Sequence, residues 1–247
     1  MNVILLGEAD AQLPLRIAAK LEAHRHRAIV ASPDAHLERE TREADAVVDC
    51  WVTDAAAKLA ALGRYERWLR RDAAYLTCCH AASATRMAAG AGKAPGRVVG
   101  FALPAPIDDR KLVECALPLQ ATGAAKPAAE ALWRAIGLEA VWVDDSVGLI
   151  MPRILAGLAN EAFFALGEGL ASARDIDRAM QLGTRYPRGP LAWAEVMGLD
   201  QVLACLDALA TEHGEDRYRA APLLRRRVAA GRTGRLDALH PDEVETA

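Results

Sequence analysis

Across its first 120 residues the chain alternates short apolar runs with stretches of helical spacing, and this rhythm constrains the fold most. Val3–Leu6 is an apolar run closed by Gly7, and a helical stretch follows from about Leu13 to His24. Ala28–Ala31 is a second run, stopped by Ser32-Pro33, and Ala46–Val48 is a third. Ala55–Arg71 carries Leu59, Leu62, Tyr65 and Leu69 at helical spacing. Further short segments follow at Ala74–Cys78, Arg97–Phe101 and Lys111–Leu117. Strands separated by helical periods of this kind indicate βαβ units and a mostly parallel sheet.

The pattern then changes. Lys126–Leu138 reads as a helix and Val141–Val143 as a short strand, but beyond Ser146 only helical spacing remains. Leu149 to Gly169 is one long apolar-periodic helix ending at glycine. Ser172-x-x-Asp175 opens the next as a capping box, with Asp175 at the positive helix end. That helix runs to about Leu182; Pro187, Gly189 and Pro190 break it, another begins near Leu191, and Asp200–His213 follows. Two domains are expected, residues 1–145 and 146–247. The chain is 52% hydrophobic with only 5% aromatic residues, and alanine dominates. Such a composition favours closely packed helices over a β-sandwich.

Several function classes are excluded at this level. Thirty basic against 33 acidic residues leave a net charge of −3, so nothing global attracts nucleic acid or an anionic membrane. No run approaches the ~18 apolar residues of a membrane span. The opening Met1-Asn2-Val3-Ile4 lacks the basic region of a signal peptide. Cys50, Cys78, Cys79, Cys115 and Cys205 are odd in number and without framework spacing, which predicts reduced thiols and a cytoplasmic protein. No Cys/His cluster has zinc spacing. His24 and His26, in a basic turn with Arg25 and Arg27, and His36, His213 and His240 are all expected at the surface.

Three stretches carry a family resemblance. Gly148-Leu-Ile-Met-Pro-Arg153, Asn160-Glu-Ala162, Glu168-Gly-Leu-Ala-Ser-Ala173, Asp175-Ile-Asp177, Leu182-Gly183 and Tyr186-Pro-Arg-Gly-Pro190 resemble, in order and spacing, the helical C-terminal domain of L-3-hydroxyacyl-CoA dehydrogenases. Gly198-Leu-Asp200 and Tyr218-Arg-x-x-Pro222-Leu-Leu-Arg225 extend the match. The wording Tyr-Pro-Arg-Gly-Pro-Leu-Ala-Trp is similar to the second half of the long dehydrogenases of phenylacetate catabolism. Pro95-Gly-Arg-Val-Val-Gly100 through Lys111-Leu-Val-Glu114 resembles the segment bearing the family's catalytic histidine and its glutamate. More faintly, the opening strand–turn–helix stands where the family binds NAD. The resemblance implies an α/β plus all-α architecture: a shortened Rossmann-like N-terminal domain followed by the helical domain that builds the family's homodimer.

The family's chemistry is only partly present. A dinucleotide turn needs glycines so that the backbone can approach the diphosphate beneath a helix N-terminus. Here the turn reads Gly7-Glu8-Ala9-Asp10-Ala11-Gln12: one glycine remains, and two carboxylates stand where phosphates would lie. Pro14 removes a donor from the helix start. The acid that would hold the ribose falls near Ala31-Ser32, with Asp34 beyond a proline turn. Ala102 aligns with the catalytic histidine, so Glu114 keeps the orienting position without a base to orient. Pro152 replaces the family's asparagine, and Cys78-Cys79-His80-Ala81 replaces its Ser-Asn-Thr-Ser run. Cys78 with His80 raises the idea of a thiol nucleophile and base, but neighbours two apart on a strand share a face without meeting, and cysteine is common packing.

The expectation is therefore a non-catalytic relative: a dimeric scaffold, or a partner for an active dehydrogenase, in acyl-CoA or aromatic-acid breakdown. It would hold no cofactor, with Gly7 and Glu114 vestigial. Two alternatives stay open, a working NAD-dependent 3-hydroxyacyl-CoA dehydrogenase and an acyl-CoA-binding protein without redox activity. Ile150, Ile154, Leu155, Leu158, Phe163, Phe164 and Leu166 cover more than one face of their helix, and Trp193 and Met197 are candidates to join the dimer contact. The basic run Arg225-Arg226-Arg227 with Arg232 and Arg235 reads as a solvated helix face, or else as a patch for a partner or CoA phosphates.

Overall fold

A computed structural model describes residues 1–8, 11–92, 94–108, 110–121, 123–232 and 236; the expected roles of Asp10, Arg235 and His240 fall outside these residues. The chain divides into two compact units, Met1–Pro152 and Arg153–Ala247.

The first unit is built on seven strands: β1 Asn2–Leu6, β2 Arg27–Ala31, β3 Ala46–Asp49, β4 Ala74–Cys78, β5 Val98–Ala102, β6 Leu112–Ala116 and β7 Glu139–Val143. Their spatial order is β2-β1-β3-β4-β5-β6-β7. Every pairing is parallel except β5 with β6. The chain leaves β1 in one direction to form β2 and returns on the other side to form β3. The carboxyl ends of β1 and β3 therefore flank the switch point where such sheets receive ligands.

Each strand sends alternate side chains to opposite faces. Val3, Leu5, Val48 and Leu76 join a core with Ile17 and Leu21 of helix α1 (Gln12–Ala23) and Leu132 and Trp133 of α5 (Lys126–Ala135). Ile4, Leu6, Val47 and Tyr75 face the other way, onto Leu62 and Tyr65 of α3 (Ala55–Tyr65) and Met87 of α4 (Ala84–Ala89). A further short helix, α2 (Glu38–Glu43), was not foreseen, and neither was α4. Both are about six residues long, too short to repeat an apolar period.

The helix expected over Ala55–Arg71 stops at Tyr65. Arg97 supplies the reason: its guanidinium donates to the carbonyls of Leu69 (2.7 Å), Glu66 (3.3 Å) and Arg70. Carbonyls held this way from a distant segment leave the chain in turns after Tyr65 instead of a continued helix.

The second unit is helical: α6 Met151–Gly167, α7 Ala173–Thr184, α8 Pro190–Met197, α9 Leu199–His213 and α10 Pro222–Ala229. Half of the expected capping box forms: the Asp175 amide donates to Ser172 Oγ at 3.1 Å, while the Asp175 carboxylate accepts from that hydroxyl at 2.7 Å in place of the Ser172 amide. Asp177 explains the wording of the break before α8. Its carboxylate accepts the amides of Leu191 (2.8 Å) and Ala192 (2.9 Å) and so caps that helix. A Cβ on Gly189 would lie 2.3 Å from Asp177 Cγ, so only glycine leaves room for the cap. Gly189→Ala is expected to cost about 1–2 kcal/mol, the usual loss of a capping carboxylate. Hydrogen exchange of the Leu191 and Ala192 amides is the measurement; unchanged protection would refute the capping role.

Several surface assignments change. Arg227 is buried, whereas Arg225 and Arg226 stay exposed as expected of a solvated face, Arg225 in a surface pair with Asp207. His26 is half-buried, with Nδ1 3.1 Å from the Met1 amino group. His36 stays exposed against the edge of Trp68 (centroids 5.1 Å apart), and His213 against Tyr218 (5.4 Å). Trp193 and Met197 are buried, whereas α7 has no buried residue. Ile150, Ile154, Leu170 and Leu182 are exposed. No helix among the described residues is long and apolar enough to cross a membrane.

Candidate functional site

Gly7, Cys78 with His80, and Ala102 lie at the carboxyl ends of β1, β4 and β5, and Glu114 lies within β6 as the cross-strand partner of Ala102. Gly7 follows β1, and its amide donates to Ala31 O at 3.0 Å. The room a glycine leaves is taken: a Cβ there would meet Pro14 Cγ at 2.9 Å. Pro14 is the third residue of α1, so it both fills this space and deletes one of the helix's free amides. Glu8 is exposed beside the turn. Asp34 is also exposed; a hydrogen bond from Ser32, aided by its own backbone amide, holds its carboxyl below the usual range.

Ala102 and Glu114 are cross-strand partners in the antiparallel β5–β6 pair. Glu114 therefore has a methyl group as its cross-strand neighbour. Ala102 packs in an apolar cluster with Cys79, Ala84, Ala116 and Leu149. Glu114, itself buried, accepts the amides of Ile150 (2.8 Å) and Met151 (3.0 Å) at the start of α6. Gly148 (φ +76°) and Leu149 (φ +44°) adopt left-handed backbone just before these amides. That turn costs a leucine about 1–2 kcal/mol, and the charge-assisted bonds to the carboxylate offset it. Burial raises the Glu114 carboxyl, the two amides pulling the other way. Arg110 stands nearby, with Nε donating to Pro106 O and Nη1 3.8 Å from Met151 Sδ. Pro152 follows directly in α6.

Cys78 ends β4, and burial pushes its thiol up to about 11. His80, two residues on, is 3% exposed, and neither ring nitrogen has a hydrogen-bond partner. No thiol–imidazole pair forms. Burial, with the Lys58 ammonium nearby, holds the His80 imidazole down to about 3, so it is neutral at ordinary pH.

One constellation escaped the sequence. Asp49, at the end of β3, and Lys58, on α3, form an ion pair of 2.7 Å, each only 1% exposed. Lys58 also donates to Trp51 O (2.6 Å), and Asp49 accepts Thr77 Oγ1 and the Trp51 amide, both at 3.0 Å. A signal was present: Lys58, Ala61, Leu62 and Tyr65 occupy one helical stripe, and all are buried. A lysine inside an apolar stripe implies a buried acidic partner. Among the described residues no cluster of three or more His, Cys, Asp or Glu side chains is arranged to hold a metal.

Comparisons with known proteins point one way. Residues 148–238 match the family model "3-hydroxyacyl-CoA dehydrogenase, C-terminal domain". The 3-hydroxybutyryl-CoA dehydrogenase of Clostridioides difficile is 32% identical over 196 residues, which span 79% of this chain and 69% of that protein. The 3-hydroxyadipyl-CoA dehydrogenase of Escherichia coli K12 is 44% identical over 91 residues, 37% of this chain and 19% of that protein. Among solved structures, the (S)-3-hydroxybutyryl-CoA dehydrogenase of Ralstonia eutropha superposes with a TM-score of 0.78 at 26% identity, over 94% of this chain and 95% of that one.

Proposed function

The chain belongs to the 3-hydroxyacyl-CoA dehydrogenase family, and from that premise we propose that it works without hydride transfer, as a dimeric scaffold or partner subunit in acyl-CoA breakdown. The pairing of Ala102 with Glu114 carries this reading. The reaction requires a group that takes a proton from the substrate hydroxyl as hydride leaves. A methyl group takes none, and both oxygens of the Glu114 carboxylate are bound to the amides of Ile150 and Met151.

The family's nicotinamide cofactor would supply the hydride acceptor, but the residues at the first turn do not fit it. Pro14 fills the space above Gly7, and Glu8 sets a negative charge beside the place of a diphosphate. Dimerisation is supported by α7, which has no buried residue, and by exposed Ile154, Leu170 and Leu182. A second reading, an acyl-CoA-binding protein without redox activity, is favoured by one observation: the unpaired buried nitrogens of His80.

The test is NADH oxidation with acetoacetyl-CoA, run beside a direct NADH titration. We expect no turnover, no saturable binding below about millimolar NADH, and no rescue by Ala102→His, since the cofactor turn stays unfit. Micromolar binding with hydride transfer would overturn the proposal.

A further inference from the structure

A sheet edge leaves backbone donors and acceptors without strand partners, and proteins usually blunt it with charges, proline or a covering segment. This sheet ends at β2 on one side and β7 on the other, and among the described residues no strand pairs with the outer side of either. The Arg27 amide donates to Met1 O (2.9 Å), and Ala31 O accepts the Gly7 amide (3.0 Å). Alternate residues of a parallel ladder bond to the same neighbour, so Arg27, Ile29 and Ala31 face β1. Ala28 and Val30 therefore turn their N–H and C=O groups outward. The stretch Ala28–Ala31 carries neither charge nor proline to blunt that edge.

We propose that β2 pairs with β2 of a second copy of this chain, antiparallel about a two-fold axis at Ile29, in a contact separate from α7. That register sets Ala28 opposite the partner's Val30 and Val30 opposite the partner's Ala28, each pair exchanging both of its backbone bonds. Charge selects this occupant. Exposed Arg25 and Arg27 stand at the amino end of β2, and exposed Asp34 lies beyond its carboxyl end. Antiparallel pairing brings each end against its opposite. The other edge does not match itself in this way, because β7 is flanked by exposed acids at both ends, Glu139 and Asp144. Nor does β2 match β7: antiparallel pairing sets Asp34 beside Glu139, and parallel pairing sets it beside Asp144.

Light scattering of the full chain at matched concentrations tests this. Val30→Pro removes an outward amide and spares the ladder to β1, a change that edge strands tolerate. It should lower the mass by about half or more, whether or not α7 also pairs. On β7 the Glu139 amide bonds inward to Lys111 O, so Ala140→Pro is the matching change there and should leave the mass unaltered. Asp34→Arg should weaken the pairing, and adding Arg25→Asp with Arg27→Asp should restore it. In the wild type, the Ala28 and Val30 amides should lose hydrogen-exchange protection on dilution while the Ile29 amide keeps it, a readout that needs no variant. A wild-type monomer, or protection at Ala28 and Val30 that does not change with concentration, would overturn the proposal. A dimer that survives Val30→Pro would overturn it too, while leaving the α7 contact standing.

Discussion

Lys58→Met is expected to destabilise the amino-terminal unit by about 3–5 kcal/mol, the usual cost of leaving one member of a buried ion pair without its partner. The ammonium and the Asp49 carboxylate are each 1% exposed and 2.7 Å apart. Burial alone would pull the lysine down, but the Asp49 charge, with the Cys78 thiol adding to it, outweighs burial and holds the ammonium above its ordinary value. Removing it strands Asp49 with only Thr77 and the Trp51 amide to satisfy it. Urea unfolding measures the loss. The double variant Lys58→Met with Asp49→Leu should recover part of it, because replacing both charges removes the desolvation cost along with the attraction. A single variant within about 1 kcal/mol of wild type, the value of an exposed pair, would show that the two charges do not depend on each other.

Acid should weaken the same unit through His80. Its folded pKa of about 3 lies below the ordinary value of 6.5, so the unfolded chain binds the additional proton. Stability from the neutral imidazole is complete above about pH 6.5 and declines as pH falls toward the folded value. The shift corresponds to an upper limit of ~5 kcal/mol, and at pH 5 to about 2 kcal/mol. Carboxylates titrate in part of this range, so the comparison must be between wild type and His80→Leu across pH 7 to 4. The variant should show a shallower decline. Parallel curves would mean that His80 takes up its proton in the folded state without penalty, and would overturn this prediction.

Much of the architecture was legible because it depends on near neighbours. Val3–Leu6 alternates across two buried faces, partly buried Ala28, Val30 and Ile29 alternate against the same two cores, and α1 between them carries Ile17, Ala18 and Leu21 on one stripe. The Ser172 N-cap closes within three residues. What remained hidden was closed by residues far apart. Arg97 ends α3 from about 30 residues downstream, across a loop whose closure local propensity does not record. Glu114 reaches the amides of Ile150 and Met151 across 36 and 37 positions. The sequence alone presents its carboxylate as an orienter without a base. The tertiary structure gives it a helix start to hold.

By itself the sequence determined the βαβ order, the change to helices after the sheet, and the family, since apolar period, caps and motif spacing are properties of short windows. Only the tertiary structure decided which polar groups meet: Asp49 with Lys58, Asp177 with the start of α8, and His80 with none. The physical reason is burial. A charge or an imidazole changes its chemistry once water is gone, and whether water is gone is a property of the whole packed unit rather than of neighbouring residues.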